Sequence, residues 1–317
     1  MQIVDFTSAY IDKAVQIARQ NYEAERGFAL MLPPVEKWPD LNPFADNGLG
    51  VAAIDGGDVV GFLCGGGVWN NAWGIPGLRN VFSPMHANGT IPENRVNIYA
   101  RLYQAAGDKW TRAGAASHGV CLYAHDAESQ AQFYRYGFGM RCIDAIRFID
   151  DSIEAPHCDG YTFAELSPDE LAEAYPLEKL LDRGYIESPF FMYREPDSQA
   201  RFLEKAALSH PIYFVSRHKG QTVAFIRAEL EGETFIQDAP GYLHCKGLYC
   251  LPEHRGRGIS QNLLKLLTLR LKEQGYTRLG VDFESINPSG SGFWLKYFTA
   301  YTHSVVRRID ENAIKSR

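Results

Sequence analysis

GLYCLPEHRGRGISQNLLKLLTLRLKEQG, residues 247–275, is the stretch on which the reading of the whole chain turns. An apolar strand runs into a short loop of glycine and arginine, and a long helix follows. Leu263, Leu264, Leu267 and Leu271 recur at helical spacing, Gln261, Lys265, Thr268 and Lys272 take the other face, and Gly275 supplies the stop. In Arg255-Gly256-Arg257-Gly258-Ile259-Ser260 the glycines let the backbone turn with its N–H groups inward. The helix adds unpaired N-terminal donors and a positive dipole end, so the loop is built to hold an anion, with a phosphate-bearing ligand expected.

Two other phosphate loops fail against this stretch: it has no Gly-Lys-Ser/Thr ending of a P-loop and no complete G-x-G-x-x-G of a dinucleotide fold. The pattern from Arg255 to Ser260 is R-x-x-G-x-S. With Tyr249-Cys250-Leu251-Pro252-Glu253-His254 before it, it resembles the acetyl-CoA pyrophosphate loop of the GNAT superfamily of N-acetyltransferases, R/Q-x-x-G-x-G/A. Ser260 departs from the final Gly/Ala but stays small, and backbone amides would do the holding. The competing reading is a plain surface turn; the order of strand, loop and helix weighs against it.

At 317 residues, with 45% of them apolar, the chain is long enough for two domains with ordinary cores. Its net charge of −6 argues against broad nucleic-acid or anionic-membrane binding, and Arg255 and Arg257 form one local basic spot. Cys64, Cys121, Cys142, Cys158, Cys245 and Cys250 show neither a C-x-x-C pair nor metal-ligand spacing, and the start lacks a signal peptide's basic and apolar regions. A cytoplasmic protein with reduced thiols and no bound metal is expected. The uncharged run from Val59 to Leu78 is broken by Gly65-Gly66-Gly67 and Asn70-Asn71, which suits a strand and loop rather than a membrane helix.

The chain repeats itself at an offset of 160 positions. Asp5, Thr7, Ile11 and Ala14 correspond to Glu165, Ser167, Leu171 and Ala174, where Ser167-Pro168-Asp169-Glu170 is a capping box with Pro at the first helical position. At the other end FYRYGFGMRCIDAIRFID (Phe133 to Asp150) aligns without gaps with FWLKYFTAYTHSVVRRID (Phe293 to Asp310). One offset at both ends is the mark of duplication. Residues 1–150 and 160–317 are therefore expected to be two copies of one fold, with 151–159 as linker. Hairpins are expected around Asp55-Gly56-Gly57-Asp58 and His218-Lys219-Gly220, helices over 95–112 and 260–274, and strands over 119–124 and 279–284. The order β, α, hairpin, β, α, β, α, β in both halves resembles a tandem GNAT. It implies an α/β class with mixed, mainly antiparallel sheets flanked by helices. The first half has Phe82 to Pro92 where the anion loop belongs, which implies a degenerate GNAT-like domain.

The resemblance implies acetyl transfer from acetyl-CoA, the cosubstrate, to an amine. Arg255, Gly256, Arg257, Gly258, Ile259 and Ser260 would hold the pyrophosphate, and Tyr249, Cys250 and Leu251 the pantetheine arm and an oxyanion. In the family's N-x-x-A-x-x-L-Y-x-x-x-G-F, Asn287 aligns with the asparagine and places Trp294 at the tyrosine that protonates the leaving thiolate. Tyr297, one turn further on, is the substitute acid or a core residue. Tyr134 stands at the tyrosine position in the half that lacks the loop. For the base, His244, Asp282 and Glu284 are candidates; alternation puts His244 on one strand face with Lys246 and Leu248. Tyr185, Glu187, Phe190, Phe191 and Tyr193 would border the acceptor pocket, or pack between halves. The expected partner is a small-molecule amine or a peptide, with neither nucleic acid nor membrane. A non-catalytic acyl-CoA-binding or regulatory protein is the alternative, with Trp294 as its evidence, and an interaction scaffold comes third.

Overall fold

The computed structural model describes residues 1–316. In chain order the first half supplies β1 (Gln2–Asp5), α1 (Ile11–Arg26), α2 (Asn42–Asp46), β2 (Gly50–Asp55), β3 (Asp58–Cys64), β4 (Asn80–Ser83), β5 (Asn88–Thr90), α3 (Arg95–Arg112), β6 (Ser117–Tyr123), α4 (Ala127–Arg135) and β7 (Gly139–Phe148). The second supplies β8 (Tyr161–Glu165), α5 (Tyr175–Gly184), α6 (Gln199–Ser209), β9 (Ile212–His218), β10 (Gln221–Glu229), β11 (Tyr242–Cys250), α7 (Ile259–Glu273), β12 (Arg278–Glu284), α8 (Pro288–Tyr297), β13 (Thr299–Arg308) and α9 (Glu311–Lys315). The expected element order is present in both halves. Ser167 forms its capping box with Glu170, whereas Thr7 caps a 3-10 turn without a side-chain bond.

By contact the chain divides into two compact units: Met1–Asp144 joined by the segment from Ala300 onward, and Ala145–Thr299. The division differs from a serial one at the last strand. β13 pairs antiparallel with β6 in the first unit, from Thr302 opposite Tyr123 to Arg308 opposite Ser117. In the second unit the end of β7 takes the matching place beside β12, and Ile149 N–H donates to Thr277 O at 3.0 Å. Each copy thus ends on the other copy's final strand. The aligned segments 133–150 and 293–310 are those that carry the two exchanged strands.

The second unit runs β12-β11-β10-β9-β8, antiparallel except for the β11/β12 pair. α7 packs on β9 and β10 through Leu263, Leu264, Leu267 and Leu271, all fully buried, each contributing roughly 1.5–3 kcal/mol of transfer free energy. The opposite face carries α5 and α6 over Leu177, Ala206, Tyr213, Val215 and Phe225.

In the first unit the two pairings that β11 makes alone are divided between two strands. β4 pairs parallel with β6 over Asn80–Ser83, and β5 pairs antiparallel with β3 over Asn88–Thr90. The interruption at 84–87 is filled from within: Met85 and Ala87 are buried, Trp38 Nε1 donates to His86 O at 3.4 Å, and Phe44 meets the His86 ring edge-on at 5.6 Å. At the start of α3, Arg95 is held by Asp126 at 3.1 Å and Asn21 at 2.7 Å. The first unit thus fills with its own side chains the break in the strand pair that corresponds to β11. Gly65 is a close-packing glycine, since a Cβ there would stand 2.3 Å from Val81 Cγ1.

Candidate active site

β11 and β12 pair only from Tyr242–Cys245 against Arg278–Val281. Beyond that the strands part, although β11 continues to Cys250 and β12 to Glu284. The register of β11 against β10 also slips here: Gly247 faces Arg227 and Cys245 faces Ala228, leaving Lys246 unpaired in a β-bulge. Leu251 N–H donates to Val223 O at 2.9 Å. By alternation Tyr249 N–H also turns toward β10, while the amides of Leu248 and Cys250 turn toward the open edge of the fork.

A groove of about 600 Å³ occupies the fork. Its walls are the end of α5 and the segment after it (Leu181, Tyr185, Phe190), β11 (Leu248, Tyr249, Cys250), the loop (Arg255, Gly256) and the starts of α7 and α8 (Ser260, Gln261, Asn287, Gly290), with Trp294 two turns into α8. Two helix N-termini therefore meet one cleft. α8 is capped by Asn287, which accepts from Gly290 N–H at 2.8 Å. α7 has no side-chain cap and no acidic residue in its first turn, so no carboxylate of that turn competes for the positive end of the helix.

The loop geometry explains its glycines. Gly256 and Gly258 sit at φ +75° and +83°, where an L-residue is strained. A Cβ on Gly258 would also strike Pro156 Cγ at 2.2 Å, while one on Gly256 would meet nothing within 4 Å. The loop is braced from behind. Asn262 Nδ2 donates to Pro156 O at 2.8 Å and lies 3.2 Å from Cys158 Sγ, which in turn lies 3.1 Å from Arg257 O. Arg255 Nε donates to Cys250 O at 2.9 Å, tying the loop to the strand before it.

Of the residues singled out in the sequence, the fold gathers Tyr249, Cys250, Arg255, Gly256, Ser260, Asn287, Tyr185 and Phe190 around this groove. Gly258 is the N-cap of α7, Ile259 is buried in the core, Arg257 is exposed, and Leu251 packs into the cluster under α5. Glu187, Phe191 and Tyr193 are exposed and do not line the groove, and neither does Tyr297, whose ring packs 5.2 Å from Phe293. Trp294, expected at the tyrosine position, does line it. The expectation for His244 is corrected twice. The bulge at Lys246 puts Leu248 on the α7 side and His244, opposite Glu229, on the α5 side. His244 is also only 1% exposed, with Tyr242 Oη 2.6 Å from Nδ1 and Asp282 Oδ1 2.8 Å from Nε2. An Nε2–H tautomer serves both contacts and leaves no nitrogen for a ligand.

Asp282, the first residue of β12 beyond the pairing, is the more exposed member of that pair. Burial alone would raise its carboxyl, but His244, Lys246 and Arg194 hold it below the usual range. The Tyr249 hydroxyl is pushed up by burial and stays protonated. The brace of Pro156, Cys158 and Asn262 left no sign in the sequence, because its members lie about a hundred residues apart.

Residues 177–298 match the family model described as Acetyltransferase (GNAT) family. This segment is a GNAT domain. The match spans the strand fork, the glycine loop and both helix N-termini, and the family makes the domain an acyl-transfer module of the kind that uses acyl-CoA. Among solved structures, a GCN5-related N-acetyltransferase from Sphaerobacter thermophilus is 13% identical, covering 96% of this chain and 95% of that one with a TM-score of 0.59. A GCN5-related glucosamine N-acetyltransferase region of a fungal multi-domain beta-N-acetylglucosaminidase is 15% identical, covering 96% of this chain and 38% of that one with a TM-score of 0.51. At these identities the likeness is one of fold. It extends over nearly the whole of both units. No curated protein matches significantly.

Among the described residues no helix is long and apolar enough to cross a membrane, no three ligand side chains gather for a metal, and the six cysteines are unbridged.

Proposed function

We propose that the GNAT domain transfers an acetyl group from acetyl-CoA to the nitrogen of an amine, a small molecule or a peptide. The observation that carries this reading is the meeting of an uncapped helix N-terminus, a left-handed glycine pair and an open strand edge in one groove. The amides at the start of α7 and of Gly256 suit a pyrophosphate, with Arg255 adding a cation. The amides of Leu248 and Cys250 suit an extended pantetheine arm, and one of them the carbonyl oxygen as it gains charge. The amine lone pair forms the C–N bond, the C–S bond breaks, the amine gives up one proton and the departing thiolate gains one. Trp294 offers no useful acid at the groove, and the phenols of Tyr249 and Tyr185 line it as candidates to give that proton. The unbridged cysteines favour a reducing, cytoplasmic setting.

Calorimetric titration of acetyl-CoA tests this directly in the wild type and in Gly256→Glu. That substitution adds a carboxylate where a Cβ has open space, at a backbone cost of about 1–2 kcal/mol. Binding in the wild type, weakened at least tenfold in a variant that still melts cooperatively, is the expected result. A wild type that does not bind would end the reading. Binding without thiol release on any amine would leave the non-catalytic acyl-CoA binder, for which Trp294 is the supporting observation.

A further inference from the structure

A second cavity of about 560 Å³ lies under α5 and α6 against β9, β10 and β11. Its size is that of a small-molecule site. Two elements line both it and the groove: α5 gives Leu181 to the groove and the next residue, Asp182, to this cavity, and β11 gives Leu248 to the groove and Lys246 to the cavity. The β-bulge turns Lys246 and His244 to this side of the sheet.

The charges in the cavity are unequally engaged. Arg227 lies between Glu178 and Glu229, its Nε 2.9 Å from Glu178 Oε1 in ion contact without hydrogen-bond alignment, and its Nη1 2.9 Å from Glu229 Oε1. The Tyr213 hydroxyl donates to Glu178 at 2.7 Å and completes a buried floor. Lys205 is paired with Asp197 at 2.5 Å and Lys246 with Glu233 at 3.0 Å. Lys179 stands 5.1 Å from the Tyr175 ring. Two carboxylates of the lining, Asp182 and Glu231, have no ion pair among the described residues. Burial raises the Asp182 carboxyl above its ordinary value, with Arg194 and Arg227 opposing, so an incoming cation would find it only partly compensated. Tyr175 and Phe202 supply aromatic surface beside these groups.

We propose that this cavity is the acceptor site and that it selects a linear diamine or triamine. Asp182 and Glu231 hold one nitrogen as an ammonium while the other reaches the fork as the free amine. The cations of the lining are, Lys179 apart, already spent, so an amine that carries a carboxylate is disfavoured. The inference rests on the acyl-transfer reading of the neighbouring groove.

The test uses the full chain, acetyl-CoA and three probes of different charge: 1,4-diaminobutane, n-butylamine and β-alanine. Thiol release is expected to be fastest with the diamine. Asp182→Asn should raise the diamine KM about tenfold or more, with Glu231→Gln acting in the same direction. The n-butylamine KM and the acetyl-CoA Kd should stay unchanged in both variants. Equal diamine KM in wild type and both variants, or preference for β-alanine, would overturn the proposal while leaving acyl transfer intact. Should wild type bind acetyl-CoA but release no thiol, calorimetry of the diamine alone decides: binding lost in Asp182→Asn supports the cavity, and none in wild type refutes it. Failure of acetyl-CoA itself to bind would instead sink the reading of the groove.

Discussion

At the scale of single residues, the fork is pinned by Asp282. Its carboxylate reaches across from β12 to His244 on β11 at the point where the strands part. Because its folded pKa is held low, the stability it contributes is present above the ordinary carboxylate value of about 3.9 and lost as pH falls through the lower folded value. Asp282→Asn should therefore be less stable than wild type at pH 6, and the two denaturation midpoints should converge as pH is lowered below about 4. A gap that stays constant over this range would mean that Asp282 carries no charge-dependent contact. His244 illustrates how a residue type misleads. A histidine near a glycine loop suggests proton transfer, yet this one is enclosed by Tyr242 and Asp282 and acts on the strands, not on a ligand.

At the scale of elements, the parallel β11/β12 pair depends on a missing side chain. Gly280 lies opposite His244, and a Cβ there would fall 1.8 Å from Tyr242 Oη. Gly280→Val should displace the Tyr242 phenol from His244 and lower stability by about 1–3 kcal/mol. The added cost of Gly280→Val should be little changed in a Tyr242→Phe background, because the ring carbons stand at 2.5 and 2.9 Å, and should shrink in a Tyr242→Ala background, each measured against its own single Tyr242 variant. Urea denaturation of the wild type, the three single variants and the two double variants measures the difference. The glycine loop, α7, α3 and the two hairpins were legible in the sequence because their determinants are local: a helical repeat, a turn residue, a cap. The bulge at Lys246 was not, since a bulge is defined by the facing strand and Arg227 stands nineteen positions earlier. For the same reason alternation carried Leu248 to the wrong face.

At the scale of the whole molecule, the duplication was legible and the exchange of final strands was not. The repeat shows which segments correspond, but not which copy each one joins. Deleting 299–317 should therefore harm the unit that is remote in sequence: amide protection should fall in β6, opened along the edge that β13 covers, more than in β10 and β9. Hydrogen exchange on the truncated chain checks this. Loss confined to Ala145–Thr299 would contradict the assignment of β13 to the first unit. Of the groove, the strand, loop and helix start lie in one chain segment and could be read from it, while the cavity proposed for the acceptor is assembled from α5, α6, β9, β10 and β11.

The exchanged strand also orders events during synthesis. Domains emerging from a ribosome ordinarily fold in turn, the N-terminal one first. Here β6, already paired with β4, acquires its second neighbour only when Thr302–Arg308 have been made, which at about 5–20 residues per second is on the order of ten seconds or more after Asp144. Through that interval the earlier-made unit carries an open strand edge, a template for pairing with another chain until β13 arrives.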